Sequence, residues 1–452
     1  MNLRRFVLWP RLFLTGHTVQ HLRALSRSQW LTQDQVTAVQ QQRLAAILSY
    51  AHDHVPHYRR ILEQAGVVGH NGEIDAMRFA EVPFLDKRTI RKVGQDLLSD
   101  DASRLRWQYN TSGGSTGEPV RLAQDRGFHD WGRALSILFD TWTGYFLGDR
   151  KALFWGSERD LFVGHETFKV RLSRWLRNEV WFNTFRMTPD QMKHYVQKLN
   201  SFRPRQVLAY AESVDEFCRF AGRNGISLVS PYGVMTSAGT LFPEMRATIE
   251  RVMRAPVFNR YGSREMGGIA CECEQHKGLH VSVLTHLVEI VRSDGCPAAP
   301  GEIGEIVVTS LVNHAMPLIR YRIGDTGAWA TEGCTCGRSW PLLASVTGRT
   351  ADTFLTASGS QIHGEYFTHL FYFQDWVERF QVIQEARDLI RVLVVPRDCP
   401  DPAISRRAEI NSITDKIKLV MGPSCTIRFE FADDIPSSPS GKYRYTVSKV
   451  AR

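Results

Sequence analysis

Tyr109-Asn110-Thr111-Ser112-Gly113-Gly114-Ser115-Thr116-Gly117-Glu118-Pro119 is the stretch on which the reading of this chain turns. Glycine, small hydroxyl and amide residues fill it, and apolar sequence resumes only at Val120. No side chain from Thr111 to Gly117 is large enough to shield the backbone. A row of N–H groups and hydroxyls can therefore meet a phosphate directly. The Walker pattern does not fit, because Glu118 follows Gly117 and no lysine closes the loop. A flexible turn has the same composition, so the rest of the chain decides between the two.

At 452 residues the chain is long enough for two or three domains. Hydrophobic content of 43% with 23% charged residues is that of a globular chain, not a disordered or membrane-embedded one. The net charge of +9 is modest for this length, and the basic residues are scattered apart from pairs such as Arg4-Arg5 and Arg406-Arg407. No basic–aromatic signature points to nucleic acid, and small polyanionic ligands account for the bias. The cysteine count, 8, does not make a disulfide scaffold. Two C-x-C pairs, Cys271/Cys273 and Cys334/Cys336, point to a reducing compartment and to a metal. Residues 1–14 have a basic head and apolar body, but Pro10 and Arg11 interrupt the run and no cleavage site follows closely. No apolar span reaches the ~20 residues of a membrane helix. The expected address is the cytoplasm, with a packed N-terminal segment or, alternatively, membrane-surface contact by it.

Periodicity predicts helix over 34–64 with a break at Pro56. His52, His54 and His57 cluster there without the spacing of a metal site. Beyond the glycine-rich loop, helix over 127–147 precedes a buried strand at 151–156. Strand and helix then alternate through 205–210, 214–221, 232–237, 244–253 and 256–262, the mark of an α/β domain with parallel strands and ligands at their C-terminal ends. From about Gly278 the texture turns to β, with strands expected at 281–291, 304–309 and 317–321. After 347 a compact α+β unit is expected: helix 364–373, strands 380–386 and 388–395, helix 404–420 and strand 426–431.

The glycine-rich loop resembles the T-S-G-[ST]-T-G-x-P phosphate loop of the adenylate-forming (acyl- and aryl-CoA ligase) superfamily. Its extra glycine, Gly114, is similar to the variant in the phenylacetate–CoA ligase and capsule-biosynthesis (CapK-like) branch. Pro83-Phe84-Leu85-Asp86-Lys87 resembles the P-x-x-x-K segment preceding that loop. Asn259-Arg260-Tyr261-Gly262-Ser263-Arg264-Glu265 resembles the family's Y-G-x-[ST]-E, with Arg264 in place of the usual hydroxyl residue. Tyr321-Arg322-Ile323-Gly324-Asp325 resembles Y-R-T-G-D, and Gly348-Arg349-Thr350-Ala351-Asp352 resembles the G-R-x-[DK]-[DE] hinge, with Ala351 where a charged residue is usual. Ser440-Gly441-Lys442 resembles the terminal [ST]-G-K.

The resemblance implies a large domain, 1–347, with parallel sheets and a β-rich subdomain, a hinge at 348–352, and a small mobile α+β domain, 353–452. It implies ATP on Thr111, Ser112, Gly113, Gly114, Ser115, Thr116 and Gly117, with Tyr261, Gly262 and Ser263 beside the adenine. A strand-end Asp325 would hold the ribose, Glu265 a Mg²⁺, and Arg349 the nucleotide, while Lys442 would serve as the catalytic cation. Met235-Thr236-Ser237-Ala238-Gly239 resembles the acyl-site turn, with Ser237, Ala238, Gly239 and Tyr210 contacting the acid and Trp155 and Phe258 as further walls. The implied reaction joins a carboxylic acid to ATP as an acyl-adenylate and passes the acyl group to CoA. An amine or hydroxyl acceptor in polysaccharide or secondary-metabolite biosynthesis, or a non-catalytic nucleotide binder, are the alternatives. The cysteine pairs also resemble elements of this branch and imply a structural Zn²⁺ on Cys273, His280, Cys334 and Cys336. Cys271 and His276 remain alternates, because spacing does not choose among them.

Overall fold

The computed structural model describes residues 16–69, 71–111, 120–156, 168–184, 187–239, 241–347, 353–371, 374, 376–397, 402–435 and 445–450. The N-terminal segment, loop residues 112–119, the hinge 348–352 and the Lys442 loop lie outside the described residues. The helix Gln33–His54 starts on a capping box between Thr32 and Gln35 and ends at Val55. Pro56 then occupies the first turn of the next helix, Pro56–Gln64, where its missing N–H costs nothing. The predicted break is therefore a change of helix.

β1 (Trp107–Thr111) and β2 (Arg121–Asp125) pair antiparallel, with Thr111 opposite Arg121. The helix Arg126–Trp142 follows, capped by the Asp125 carboxylate, which accepts the Phe128 N–H at 2.7 Å. β3 (Lys151–Trp155), β4 (Glu179–Asn183), β5 (Gln206–Tyr210), β6 (Gly233–Ser237) and β7 (Val257–Ser263) are parallel. All five residues of β5 and of β6 are buried, as strands covered on both faces must be. β8 (Gly267–Glu272), β9 (Leu279–Val281), β10 (His286–Val291), β11 (Gly304–Ser310), β12 (Tyr321–Trp329) and β13 (Leu342–Thr347) continue from β7 with antiparallel pairing. The parallel region and the β-rich region are one 11-stranded sheet, in the order β10-β11-β12-β13-β9-β8-β7-β6-β5-β3-β4.

Three readings change in this sheet. The strand expected over 281–291 is β9 and β10 separated by a turn, in which Thr285 Oγ1 bonds Ser282 Oγ at 2.7 Å. The strand expected at 317–321 begins only at Tyr321, because Arg320 takes a left-handed φ of +48° that breaks the extended run. β4, with the helices Phe168–Arg177 and Pro189–Phe202 on either side of it, adds a strand and two helices between β3 and β5.

Beyond β13, β14 (Thr353–Leu355) and β15 (Gln361–His363) form a hairpin before the helix Gly364–Phe371. β16 (Val377–Ala386), β17 (Leu389–Pro396), β18 (Thr426–Phe431) and β19 (Thr446–Ser448) make a separate sheet of order β18-β17-β16-β19. The single helix expected over 404–420 is two, Pro402–Ser405 and Arg407–Met421, divided at the non-helical Arg406. The hydrophobic core of this unit also takes in Tyr210, with Trp155 packed on its edge, from the C-terminal ends of β5 and β3.

Candidate active site and metal centre

Ser237 and Tyr210 lie at the C-terminal ends of parallel strands, and other sequence-predicted residues lie near them. Ser237, buried, closes β6, and Ala238 turns the chain with φ +65°. Tyr261 lies inside β7 rather than after it, and its hydroxyl donates to Asp325 Oδ2 at 2.9 Å. Asp325 is within β12 by residue range. The ladder to β11 nevertheless jumps there from Arg322↔Val307 to Thr326↔Glu305, leaving Ile323, Gly324 and Asp325 outside the register. Such a bulge re-aims a side chain away from the sheet, so Asp325 reaches the site from mid-strand and not from a strand end. Gly262 pairs with Gly268 of β8, and a Cβ there would lie 2.3 Å from the Gly267 carbonyl oxygen.

Glu265 sits in the β7–β8 turn, 5% exposed, with Lys87 Nζ 3.6 Å from Oε1. Lys87 begins the helix Lys87–Val93, capped by Asp86, and the preceding residues are laid against β12. Leu85 N–H donates to the Arg320 carbonyl at 2.9 Å, and Arg322 N–H donates to the Leu85 carbonyl at 2.8 Å. Arg320 itself is buried, pairs with Glu289 at 2.9 Å and donates to the Val82 carbonyl at 2.7 Å. The sequence shows the P-x-x-x-K segment but not that Lys87 meets Glu265. On the other side, the Gln124 and Asn110 side-chain amides donate to the Arg264 carbonyl at 2.8 and 3.4 Å, fixing the root of the β1–β2 hairpin, and with it Thr111, beside the Glu265 turn. Tyr261, Ser263, Glu265, Asp325 and the hairpin root thus converge. Ser112–Gly117, Arg349 and Lys442 fall outside the described residues.

The expected acyl-pocket residues divide. Tyr210 and Trp155 meet with ring centroids 4.3 Å apart and planes tilted by 38°, Tyr210 within the hydrophobic core of the C-terminal unit and Trp155 at its edge. Phe258 is buried 4.7 Å from the His276 ring, on the side of the cysteine cluster.

That cluster is resolved by the geometry. One donor atom each from Cys273, His280, Cys334 and Cys336 lies within 4.8 Å of the others. Tetrahedral zinc with thiolates at ~2.3 Å needs donors about 3.8 Å apart. The Cys273 and Cys334 sulfurs are 3.5 Å apart, too far for a disulfide, and Cys336 Sγ is 3.5 Å from His280 Nε2. His280 Nδ1 is 3.3 Å from the Trp340 carbonyl; donation there selects the tautomer whose Nε2 faces the thiols. Burial holds that imidazole neutral, with its pKa lowered to about 4. Burial pushes the Cys273 thiol up to about 12. At Cys336 burial raises the thiol too, but the Arg338 amide and side chain outweigh it and lower it. N–H groups of Gln275 and Arg338 point at the Cys273 and Cys336 sulfurs at 3.5 and 3.4 Å. Both alternates are displaced: Cys271 is fully buried in the core, and His276 turns to Glu272 Oε2 at 3.3 Å.

Residues 354–449 match the CapK C-terminal domain family. Over 427 residues the chain is 26% identical to Protein CapK of Staphylococcus aureus, covering 91% of this chain and 89% of CapK. It is 24% identical over 424 residues to the phenylacetate-coenzyme A ligase of Escherichia coli, covering 90% and 93%. The Thermus thermophilus ligase of the same name is 26% identical over 352 residues, covering 72% and 73%. The chain is a relative of CapK and the phenylacetate–CoA ligases. A 2-hydroxyisobutyryl-CoA ligase structure in complex with 2-HIB-AMP and CoA superposes with a TM-score of 0.59 at 19% identity, covering 94% of this chain and 92% of that one. The CapK relative therefore has the fold of adenylate-forming enzymes, and the match at 354–449 runs from β14 to the end of the C-terminal sheet.

Proposed function

We propose that this CapK relative activates a carboxylic acid with ATP and passes the acyl group to CoA. In the first step a carboxylate oxygen attacks the α-phosphorus, an acyl-adenylate forms and pyrophosphate leaves. In the second the CoA thiolate attacks the acyl carbon, forming the thioester and releasing AMP. The protein supplies position and charge, and no side chain acts as nucleophile. Asp325 receives the ribose hydroxyls, with Tyr261 orienting its carboxylate beneath the adenine. Glu265 would hold a Mg²⁺ that neutralises phosphate charge, with Lys87 alongside as a further cation for the leaving pyrophosphate. Ser237, Ala238 and Gly239 line the acyl end, and Arg349 and Lys442 act from the hinge and the small domain. The domains are 1–347 and 353–452, joined by 348–352. The observation that carries this reading is the Tyr261–Asp325 hydrogen bond at 2.9 Å, together with the Lys87–Glu265 pair just past β7, which brings elements remote in sequence to one site.

A structural zinc on Cys273, His280, Cys334 and Cys336 belongs to the same proposal, supported by the donor set. The cytoplasm fits the free cysteines; among the described residues no helix is long and apolar enough to cross a membrane. ATP–pyrophosphate exchange across a panel of carboxylic acids tests the first step, and hydroxamate trapping with and without CoA tests the acceptor. Exchange with no acid in a broad panel would retire the proposal.

Asp325→Ala is expected to raise the KM for ATP by about 10- to 100-fold, since hydrogen bonds to a charged group contribute about 1.5–3 kcal/mol. The contact is present in ground and transition states alike, so acid preference should not change. A changed acid preference would move Asp325 to the acyl pocket.

A further inference from the structure

Arginines that look scattered along the sequence gather near the N-terminal ends of the parallel strands. The helix Phe168–Arg177 contains Lys169, Arg171, Arg174 and Arg177 and no acid. Its Leu172 and Trp175, three positions apart and so on one side, are 43% and 60% exposed. Asn178 ties the end of this helix to a neighbouring turn: its N–H donates to the Trp175 carbonyl at 3.1 Å and its side chain to the Gly148 carbonyl at 3.1 Å. In that turn Phe146 is 48% exposed, and its N–H is held by Asp149 Oδ2 at 3.1 Å. Asp149, Arg150, Asn178, Arg203 and Tyr232 line one shallow depression. Tyr232 is 63% exposed there, with the Arg205 guanidinium 3.9 Å over its ring. The residues of that depression border the N-terminal ends of β3 to β6, and the helix Phe168–Arg177 ends beside them, whereas Ser237 lies at a C-terminal end.

Part of this charge has no ion-pair partner among the described residues. Arg171, Arg177 and Arg203 are exposed and form no ion pair among the described residues. The acids nearby are engaged: Asp149 faces Arg205 at 3.5 Å, and Glu179 accepts the Trp181 indole N–H at 3.2 Å. Single exposed apolar residues are ordinary, but here four large ones come from three segments at one end of the sheet. Rings with a polar edge and arginines with long aliphatic stems suit the boundary between water and lipid headgroups. A nucleic-acid or sugar polymer would use the arginines and leave Leu172 and Phe146 without a role. We propose that this face docks on an anionic lipid bilayer, with Trp175, Leu172 and Phe146 in the headgroup layer and Arg171, Arg177 and Arg203 against lipid phosphates. The nucleotide site would then face away from the membrane, open to soluble substrates.

Vesicle co-sedimentation of the full chain tests the proposal. Binding is expected to phosphatidylcholine vesicles containing about 30% phosphatidylglycerol, weakening at about 0.5 M salt, and not to phosphatidylcholine alone. The pairs Leu172→Ser/Trp175→Ser and Arg171→Glu/Arg177→Glu should each lower the partition coefficient by about 10-fold or more without changing the melting temperature. Undiminished binding by either pair would overturn the proposal, as would failure of the wild-type chain to bind the anionic vesicles. Retention on a soluble polyanion such as heparin with no vesicle binding would assign the face to a polymer and overturn it equally.

Discussion

Lys442→Ala is expected to slow acyl-adenylate formation by ~10²–10³ while ATP binding and the fold persist. During in-line attack, negative charge grows on the oxygens shared between carboxylate and α-phosphate. An ammonium that meets them only when the small domain closes stabilises the transition state more than the bound substrates. The magnitude is that of removing one preorganised oxyanion donor. Thioester formation from a supplied acyl-adenylate should be affected far less, because that step breaks no bond at phosphorus. Single-turnover measurement of both half-reactions checks this. Equal losses in both would make Lys442 a structural residue, and no loss in either would make it solvated surface.

The second large effect concerns the fold. Cys336→Ser, or chelation of the wild-type protein, is expected to destabilise the chain by about 4 kcal/mol or more, the range reached when a bound metal is lost. That corresponds to a fall in melting temperature of roughly 10 °C. Cys273 follows β8, His280 lies in β9, and Cys334 and Cys336 belong to the segment between β12 and β13, so one ion would tie together strands far apart in sequence. Nucleotide affinity of the folded fraction should be retained, since these ligands hold segments and do not react. Elemental analysis should find about one zinc per chain. Metal-free protein of unchanged stability, purified without chelator, would remove the ion from the description.

The parallel strands were the most legible part of the sequence, because β5 and β6 are buried throughout and read as short apolar runs between helices. β4 lacks that signature: Glu179-Val180-Trp181-Phe182-Asn183 alternates buried with half-buried residues at the sheet edge, between two helices. Asp325 could be chosen from sequence but not placed, since the bulge that frees it appears only in the pairing of β12 with β11. The metal ligands show the same limit. Cys271 lies directly across from His280 in the β8–β9 register, yet its side chain packs into the core, while Cys273 just past the strand end reaches the cluster. Lys87 escaped as a site residue because its partner Glu265 is remote in sequence and the backbone clamp through Arg320 that aims it is tertiary.

The Trp155–Tyr210 ring pair has a thermodynamic consequence. These rings end two neighbouring strands near the β4 edge of the large sheet, yet Tyr210 is buried in the hydrophobic core of the C-terminal unit and Trp155 packs on its edge. Rotation of that unit away from them would expose aromatic surface to water, at a cost on the order of a few kcal/mol. A ligand that favours the rotated arrangement must bind it more tightly by at least that difference. The difference is written in two side chains, so trimming Tyr210 should shift the resting balance of the two arrangements before any substrate arrives.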